Sequence, residues 1–251
     1  MRYGRFSARR MLADAKAELA PHGVLRAGIN LSNFLLVTGR TPDGDPAGVA
    51  PDMARAIADR LGVRVRYVTF PRPGELADAA GQDAWDIGLI GAEPARAELI
   101  EFTPAYVEIA STYLVPPGSK LQSVADVDRP GVRIAVAART AYGLWLDRNV
   151  KHAELVHSES LDASFEQFQR ENLDALAGLA PRLLTDVQRI PGARILPGQF
   201  ASVQQAVGTL RKNQAGVRFL RDFVQQAITS GMVAGLIAKH GVRGLSVAPA
   251  L

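Results

Sequence analysis

Hydrophobic and polar positions along the chain follow two periods, and the switches between them predict the elements. The stretch "VLRAGIN", Val24–Asn30, reads as a strand with a polar exit. From Ser32 to Gly48 the chain reads as extended, with a turn at Pro42-Asp43-Gly44. Residues 51–62 then set Met53, Ile57 and Leu61 on one helical face, with Pro51 suited to the first turn and Gly62 to the C-terminal cap. Residues 63–70 alternate as a strand, 74–81 read as a short helix, and "WDIGLI", 85–90, reads as a buried strand. Strand, helix, strand, helix, strand predicts a parallel sheet with right-handed crossovers.

A second series of the same kind starts near Tyr113. Its strands are expected at 131–137, 153–158, 173–179 and 193–197. One helix begins at Thr140, one is capped by Ser160 and carries Leu161, Phe165 and Phe168, and Pro181 opens a third. Two helices, at 214–230 and 232–240, close the chain, each followed by glycine. The expected fold class is therefore α/β in two lobes, each a mainly parallel sheet flanked by helices. If the closing helices return to the first sheet, the second lobe is an insertion. Residues 1–22 are then an N-terminal extension, 23–112 and 205–251 lobe 1, and 113–204 lobe 2. The crossings near 109–114 and 202–208 would act as a hinge. Such sheets bind ligands beyond the carboxyl ends of their strands, so a cleft between the lobes is the expected ligand position.

Composition works mainly by exclusion. The 251 residues carry a net charge of +4, with arginines and lysines scattered rather than gathered in a stripe, which argues against specific nucleic-acid binding. There is no cysteine, which excludes disulfides, iron–sulfur clusters and thiol catalysis. His22, His152, His157 and His240 show no metal-ligand spacing, so neither a metal nor a cofactor is expected. Near the N-terminus Met11, Leu12, Ala15 and Leu19 fall at helical spacing, with Ser7 as N-cap and Pro21 as stop. The pair Arg9–Arg10 is not followed by the apolar run of roughly 7–15 residues that a secretion signal needs. No run approaches the ~18–20 apolar residues of a membrane span.

The stretch "GAEPARAELIEFTPAY", 91–106, carries the chemistry. It comes directly after the buried-looking strand and sets Arg96 among Glu93, Glu98 and Glu101. A guanidinium offers a planar fork that matches a carboxylate. The plain alternative is an arginine paired with Glu93 or Glu98 on a solvated helix. Thr140, at a helix start, has a similar double meaning: an ordinary N-cap, or the edge of an anion site built from free N–H groups.

In order along the chain, "GVLRAGIN", "DPAGVAPDMARAIADRLGVRV", "WDIGLIGAEPARAELIEFTPAY", "GVRIAVAARTAYGLWL" and "VRFLRDFVQQAITSGMVAGLIAKHGV" resemble extracellular solute-binding protein family 3. These are the polar amino-acid-type binding proteins of bacterial ABC importers. The resemblance runs from about Gly23 to Gly241 and implies a type II periplasmic-binding-protein fold. It places Arg96 on the ligand carboxylate, with Gly91, Ala92 and Glu93 in the same loop. Arg139, Thr140, Ala141 and Tyr142 would surround the helix start that faces the same carboxylate. Asn33 and Phe34 would supply polar and aromatic contacts, and Gln204, with Gln205, would lie at the second hinge.

Three departures from the family pattern matter. Glu93 stands where a threonine is usual, and Arg139 replaces a glycine before Thr140. Leu179 falls where an aspartate would hold an α-ammonium, and the next acid is Asp186. An unpaired ammonium in a closed site is costly, so either Glu93 replaces that aspartate or the ligand is not an α-amino acid; of the two, a small carboxylate-bearing, anionic solute is the expected ligand. The resemblance implies capture by hinge closure, transfer to an ABC permease, a monomer, and no catalysis. It implies the periplasm, although without a signal peptide the chain would stay in the cytoplasm if Met1 is its native start. Two alternatives stand beside it: a dehydratase of the cyclohexadienyl type with Glu93 as general acid, and a cytoplasmic sensing module.

Overall fold

The computed structural model describes residues 2–251, with side chains from Ser7 onward; Met1 lies outside the described residues. In chain order, α1 (Arg2–Leu19) precedes β1 (Val24–Asn30), and the short strands β2 (Gly39–Arg40) and β3 (Pro46–Ala47) form a hairpin. Next come α2 (Val49–Leu61), β4 (Arg64–Phe70), α3 (Pro73–Asp78), β5 (Ile87–Gly91), β6 (Ile100–Phe102) and β7 (Val107–Val115). The middle of the chain holds β8 (Arg133–Ala137), α4 (Ala141–Asn149), β9 (Glu154–Ser158), α5 (Leu161–Arg170), β10 (Ala175–Leu179), α6 (Ala180–Asp186) and β11 (Arg194–Ile195). The long strand β12 (Ala201–Leu210), α7 (Gln214–Thr229), α8 (Met232–Lys239) and β13 (Ser246–Val247) complete it.

The chain divides into two compact units, one of residues 1–108 with 204–251 and one of residues 109–203. In the first, β1 lies between β4 and β5 in parallel pairing, and β12 returns antiparallel beside β5. Its core joins Leu25 and Ile29 of β1, Met53, Ile57 and Leu61 of α2, and Phe223 of α7. The helical face of α2 is therefore buried as its spacing predicts. In the second unit β8 pairs in parallel with both β9 and β10, and β7 runs antiparallel to β10. Phe165 and Phe168 of α5 pack there with Leu114, Leu173, Leu176 and Leu183.

One expectation changes. Ser7 is not an N-cap, because α1 begins upstream at Arg2. The segments expected as crossings, 109–114 and 202–208, lie within the regular strands β7 and β12, and the boundaries between the two units fall in these same strands. Gly48, just before α2, shows why that helix starts earlier than Pro51. Its φ is 148°, and a Cβ there would lie 2.3 Å from the carbonyl oxygen of Leu36. Only glycine lets the two backbones come so close.

A buried ion pair fixes the start of β5. Arg26, in β1, donates from Nε to Asp86 Oδ2 at 3.1 Å and from Nη2 to Asp86 Oδ1 at 2.9 Å, while its backbone N–H donates to Oδ2 at 2.8 Å. Its Nη1 donates to the Asp83 carbonyl at 2.6 Å. Both Arg26 and Asp86 are more than nine-tenths buried. The Asp86 hydrogen bonds, with the added charge of Asp83, raise the Arg26 pKa against the opposing effect of burial, so the guanidinium is a permanent cation. Asp86→Ala would strand that cation and should lower the unfolding free energy by about 3–5 kcal/mol, read by urea denaturation. Asp83→Asn, at an exposed carboxylate, should leave the midpoint near that of the parent.

Candidate functional site

In the first unit, Ile29 of β1 is level with Leu89 of β5, so the loops after the two strands leave the sheet at the same carboxyl edge. One of these loops holds Asn33 and Phe34. Asn33 is buried, and its Oδ1 accepts from the backbone N–H groups of Leu35 at 3.2 Å and Leu36 at 3.3 Å. Its carbonyl accepts from Val37 N at 2.9 Å, so Asn33 builds the loop it sits in. Phe34 is 38 % exposed and stands out of the core rather than within it.

The loop after β5 begins at Gly91, paired with Gln205 of β12, and Ala92 N donates to the Gln204 carbonyl at 2.8 Å. Glu93, half-buried and extended, leads into a single 3-10 turn, Pro94–Arg96. That turn carries the Arg96 side chain back toward the strand. Arg96 is only 6 % exposed, and its Nη1 donates to the Gly91 carbonyl at 2.7 Å. Arg96 is therefore not a solvated surface arginine. Its cation is held rigidly at the sheet's carboxyl edge, with one of its five donors anchored to the end of the strand that positions it. Tyr106, which ends the stretch, is fully buried in the core of this unit.

In the second unit, β8 and β10 are parallel, and the loops after them also leave at one carboxyl edge. Thr140 caps α4: its Oγ1 accepts from Gly143 N at 3.1 Å and donates to the Ala137 carbonyl at 2.8 Å. The hydroxyl proton is thus engaged within the loop, and the anion-facing capacity of this helix start lies in the N–H groups of Ala141 and Tyr142, which have no acceptor inside a helix. Tyr142 is buried, and burial pushes its phenol up to about 12, with a hydrogen bond to Thr140 opposing the rise. Arg139 is exposed and has φ 63°, the left-handed region. An arginine thus occupies a backbone position that suits glycine.

Leu179 ends β10, is nearly buried and precedes α6. Asp186 is no substitute for a carboxylate at Leu179. It is 2 % exposed, and both of its oxygens accept from Arg182 Nε at 3.1 Å. Burial raises its pKa even against that cation. Arg182 itself, whose charge also acts on Tyr142, escapes the reading of the sequence; its one signal is the four-residue spacing to Asp186.

Two cavities of the first unit involve none of the expected residues. One, of about 560 Å³, is lined by Arg26, Asp86, Glu98 and Arg211 among others, and one of about 380 Å³ lies along α1 and α7. Among the described residues no group of three or more His, Asp or Glu is placed to hold a metal ion. His240 instead approaches Asp52 at 2.8 Å and His157 approaches Asp147 at 2.8 Å.

Mixed α/β units with a parallel core and an antiparallel returning strand, and loops at the carboxyl edges, define a type II periplasmic-binding-protein fold. The family model for bacterial extracellular solute-binding proteins, family 3, matches residues 29–242, and the chain belongs to that family. Its structure is similar to that of a mutant of ArgBP from T. maritima, with a TM-score of 0.71 and 20% identity over 90% of this chain and 99% of the other. It is also similar to an ancestral amino acid-binding protein, a precursor of cyclohexadienyl dehydratase, with a TM-score of 0.70 and 20% identity over 88% and 97% of the two chains. A third similar structure is a putative binding component of an ABC transporter from Wolinella succinogenes, complexed with lysine. Its TM-score is 0.71, with 17% identity over 87% and 95%. No curated protein matches the chain.

The strained residue and the cap beside it give opposite expectations for stability. Arg139→Gly should raise the unfolding free energy by about 0.5–1 kcal/mol by relieving the left-handed backbone. Thr140→Ala should lower it by about 1 kcal/mol through loss of the N-cap. Thermal unfolding of the two variants beside the parent checks both signs.

Proposed function

We propose that this chain binds a small carboxylate-bearing solute and delivers it to the permease of an ABC importer. The observation that carries this reading is Arg96: a buried cation, fixed to the Gly91 carbonyl at 2.7 Å, directly after a fully buried strand. A guanidinium fixed in this way grips an anion without first losing rotamer freedom, which favours affinity. In the second unit the start of α4, held by Thr140, offers backbone N–H groups that suit an anion. Phe34 adds exposed apolar surface in the first unit.

The relatives include one complexed with lysine, and an amino acid carries a carboxylate that Arg96 suits. The ammonium is where this chain departs. Leu179 offers no charge at the position the family resemblance gives to an aspartate, and Asp186 is engaged by Arg182. We therefore assign a ligand whose recognised group is the carboxylate alone. Binding without chemistry is the role we assign, and the family's periplasmic setting is the location that fits delivery to an importer.

A thermal-shift screen against carboxylates with and without an α-amine tests this. A ligand at about 100 times its dissociation constant adds ~2.7 kcal/mol of stability. The expected result is a shift with an amine-free carboxylate, lost in Arg96→Ala, and a new response to α-amino acids in Leu179→Asp. An undiminished ligand response in Arg96→Ala would overturn the assignment. A response in the parent confined to α-amino acids would overturn the ligand class.

A further inference from the structure

Beside Arg96, the same edge of the first unit presents a second group with a fixed direction. Ile29 of β1 is level with Leu89 of β5, and neighbouring strands lie about 4.8 Å apart, so the loops that carry Asn33 and Arg96 leave the sheet side by side. Asn33 is 7 % exposed, and its surroundings settle which end of its amide faces inward. Oδ1 accepts from Leu35 N at 3.2 Å and from Leu36 N at 3.3 Å. Turned the other way, the amide would set its own N–H groups against those two donors. The loop therefore fixes the orientation.

The Nδ2 end is left facing away from the loop backbone. Among the described residues it has no acceptor. It is also not one of the fully enclosed polar atoms without a partner, which are the hydroxyls of Tyr106, Ser111 and Ser164. It thus reaches the surface of the loop with two N–H donors and no lone pair to offer. The loop is held from behind: the Leu36 carbonyl accepts from Ala50 N at 3.1 Å, at the start of α2, and Thr38 N donates to the Ala47 carbonyl at 2.8 Å. An amide held in this way loses little freedom when it meets a ligand.

A group that can only donate selects by chemistry. An ammonium has no lone pair to receive its hydrogen bond, and a methylene would cover the donor without pairing it. An oxygen satisfies it. The second unit offers nothing to reverse this preference: Leu179 is neutral, and so is Ser111, directly across the antiparallel pair. Glu93 already has a partner. Resting on Arg96 as the carboxylate anchor, we propose that the ligand also carries a neutral oxygen acceptor, on the α or β carbon, and that Asn33 Nδ2 donates to it. The carboxylate stays the only charge that is recognised. The solute class is an oxo acid or hydroxy acid, and neither an unsubstituted acid nor an amino acid.

Calorimetric titration with acids of matched chain length tests this, with pyruvate, lactate, propionate and alanine as the smallest set. The parent should bind the oxo or hydroxy acid at least about fivefold more tightly than the unsubstituted acid, the worth of one neutral hydrogen bond. Asn33→Asp keeps an oxygen for the N–H groups of Leu35 and Leu36, so the thermal midpoint without ligand should stay near that of the parent. The variant turns an anion toward the ligand, however. Its affinity for oxo and hydroxy acids should fall by at least about tenfold, and the amino acid should become its preferred ligand. A parent that binds the unsubstituted acid as tightly as its oxygenated homologue, or that prefers the amino acid, would overturn the proposal. So would Asn33→Asp with the parent's order of preference. Arg96→Ala keeps the two readings apart. If it abolishes binding while Asn33→Asp behaves as the parent, only the oxygen acceptor is lost. Undiminished binding in Arg96→Ala, or a parent that answers to no member of the set at any chain length, overturns the carboxylate anchor and this proposal together.

Discussion

The ion pair of Arg26 and Asp86 is the constraint on which the first unit depends. Two opposite charges lie more than nine-tenths buried, and desolvation of that kind is offset only when every polar atom is well met. Here Asp86 accepts three hydrogen bonds from one residue, two from the guanidinium and one from its backbone. The contact joins β1 to the residue immediately before β5. Gly91 ends the strand, the turn Pro94–Arg96 comes next, and Arg96 ties back to Gly91. Two buried arginines thus lie at the two ends of β5, Arg26 paired with Asp86 before it and Arg96 tied to Gly91 after it.

The second unit reaches a similar end by different means. Its helix start is held by the Thr140 hydroxyl, engaged on both sides, and by Gly143, whose missing Cβ leaves room for the Ala137 carbonyl 2.8 Å away. Arg139 keeps a strained backbone just before it. Strain of this sort persists only where its surroundings over-determine it, and it gathers at functional loops.

Membership of a solute-binding family is compatible with more than one ligand class, because the fold supplies edges and loops while side chains supply selectivity. The relatives show the fold at about 20% identity or less. Helix α1 adds a feature that lies before the family match, and its contact with α7 gives the first unit a surface that the family pattern does not describe.

Local periodicity determined much of this molecule. The face of α2, the alternation of β4, and the capping threonine of α4 and serine of α5 were legible because each depends on residues a few positions apart. The position of Arg96 after a buried strand was legible for the same reason. Other features depended on partners far away in the chain. Nothing local tells that Arg26 will meet Asp86 across a sheet. The strands β7 and β12 looked like connections because their pairing partners lie distant in sequence. Arg139 carries no local mark of a left-handed backbone, since that conformation is imposed by the cap and strand on either side. Features set by the spacing of side chains along one element belong to the sequence. Features set by which elements share a hydrogen bond or a buried charge were decided only by the tertiary structure, because those energies exist only when distant segments meet.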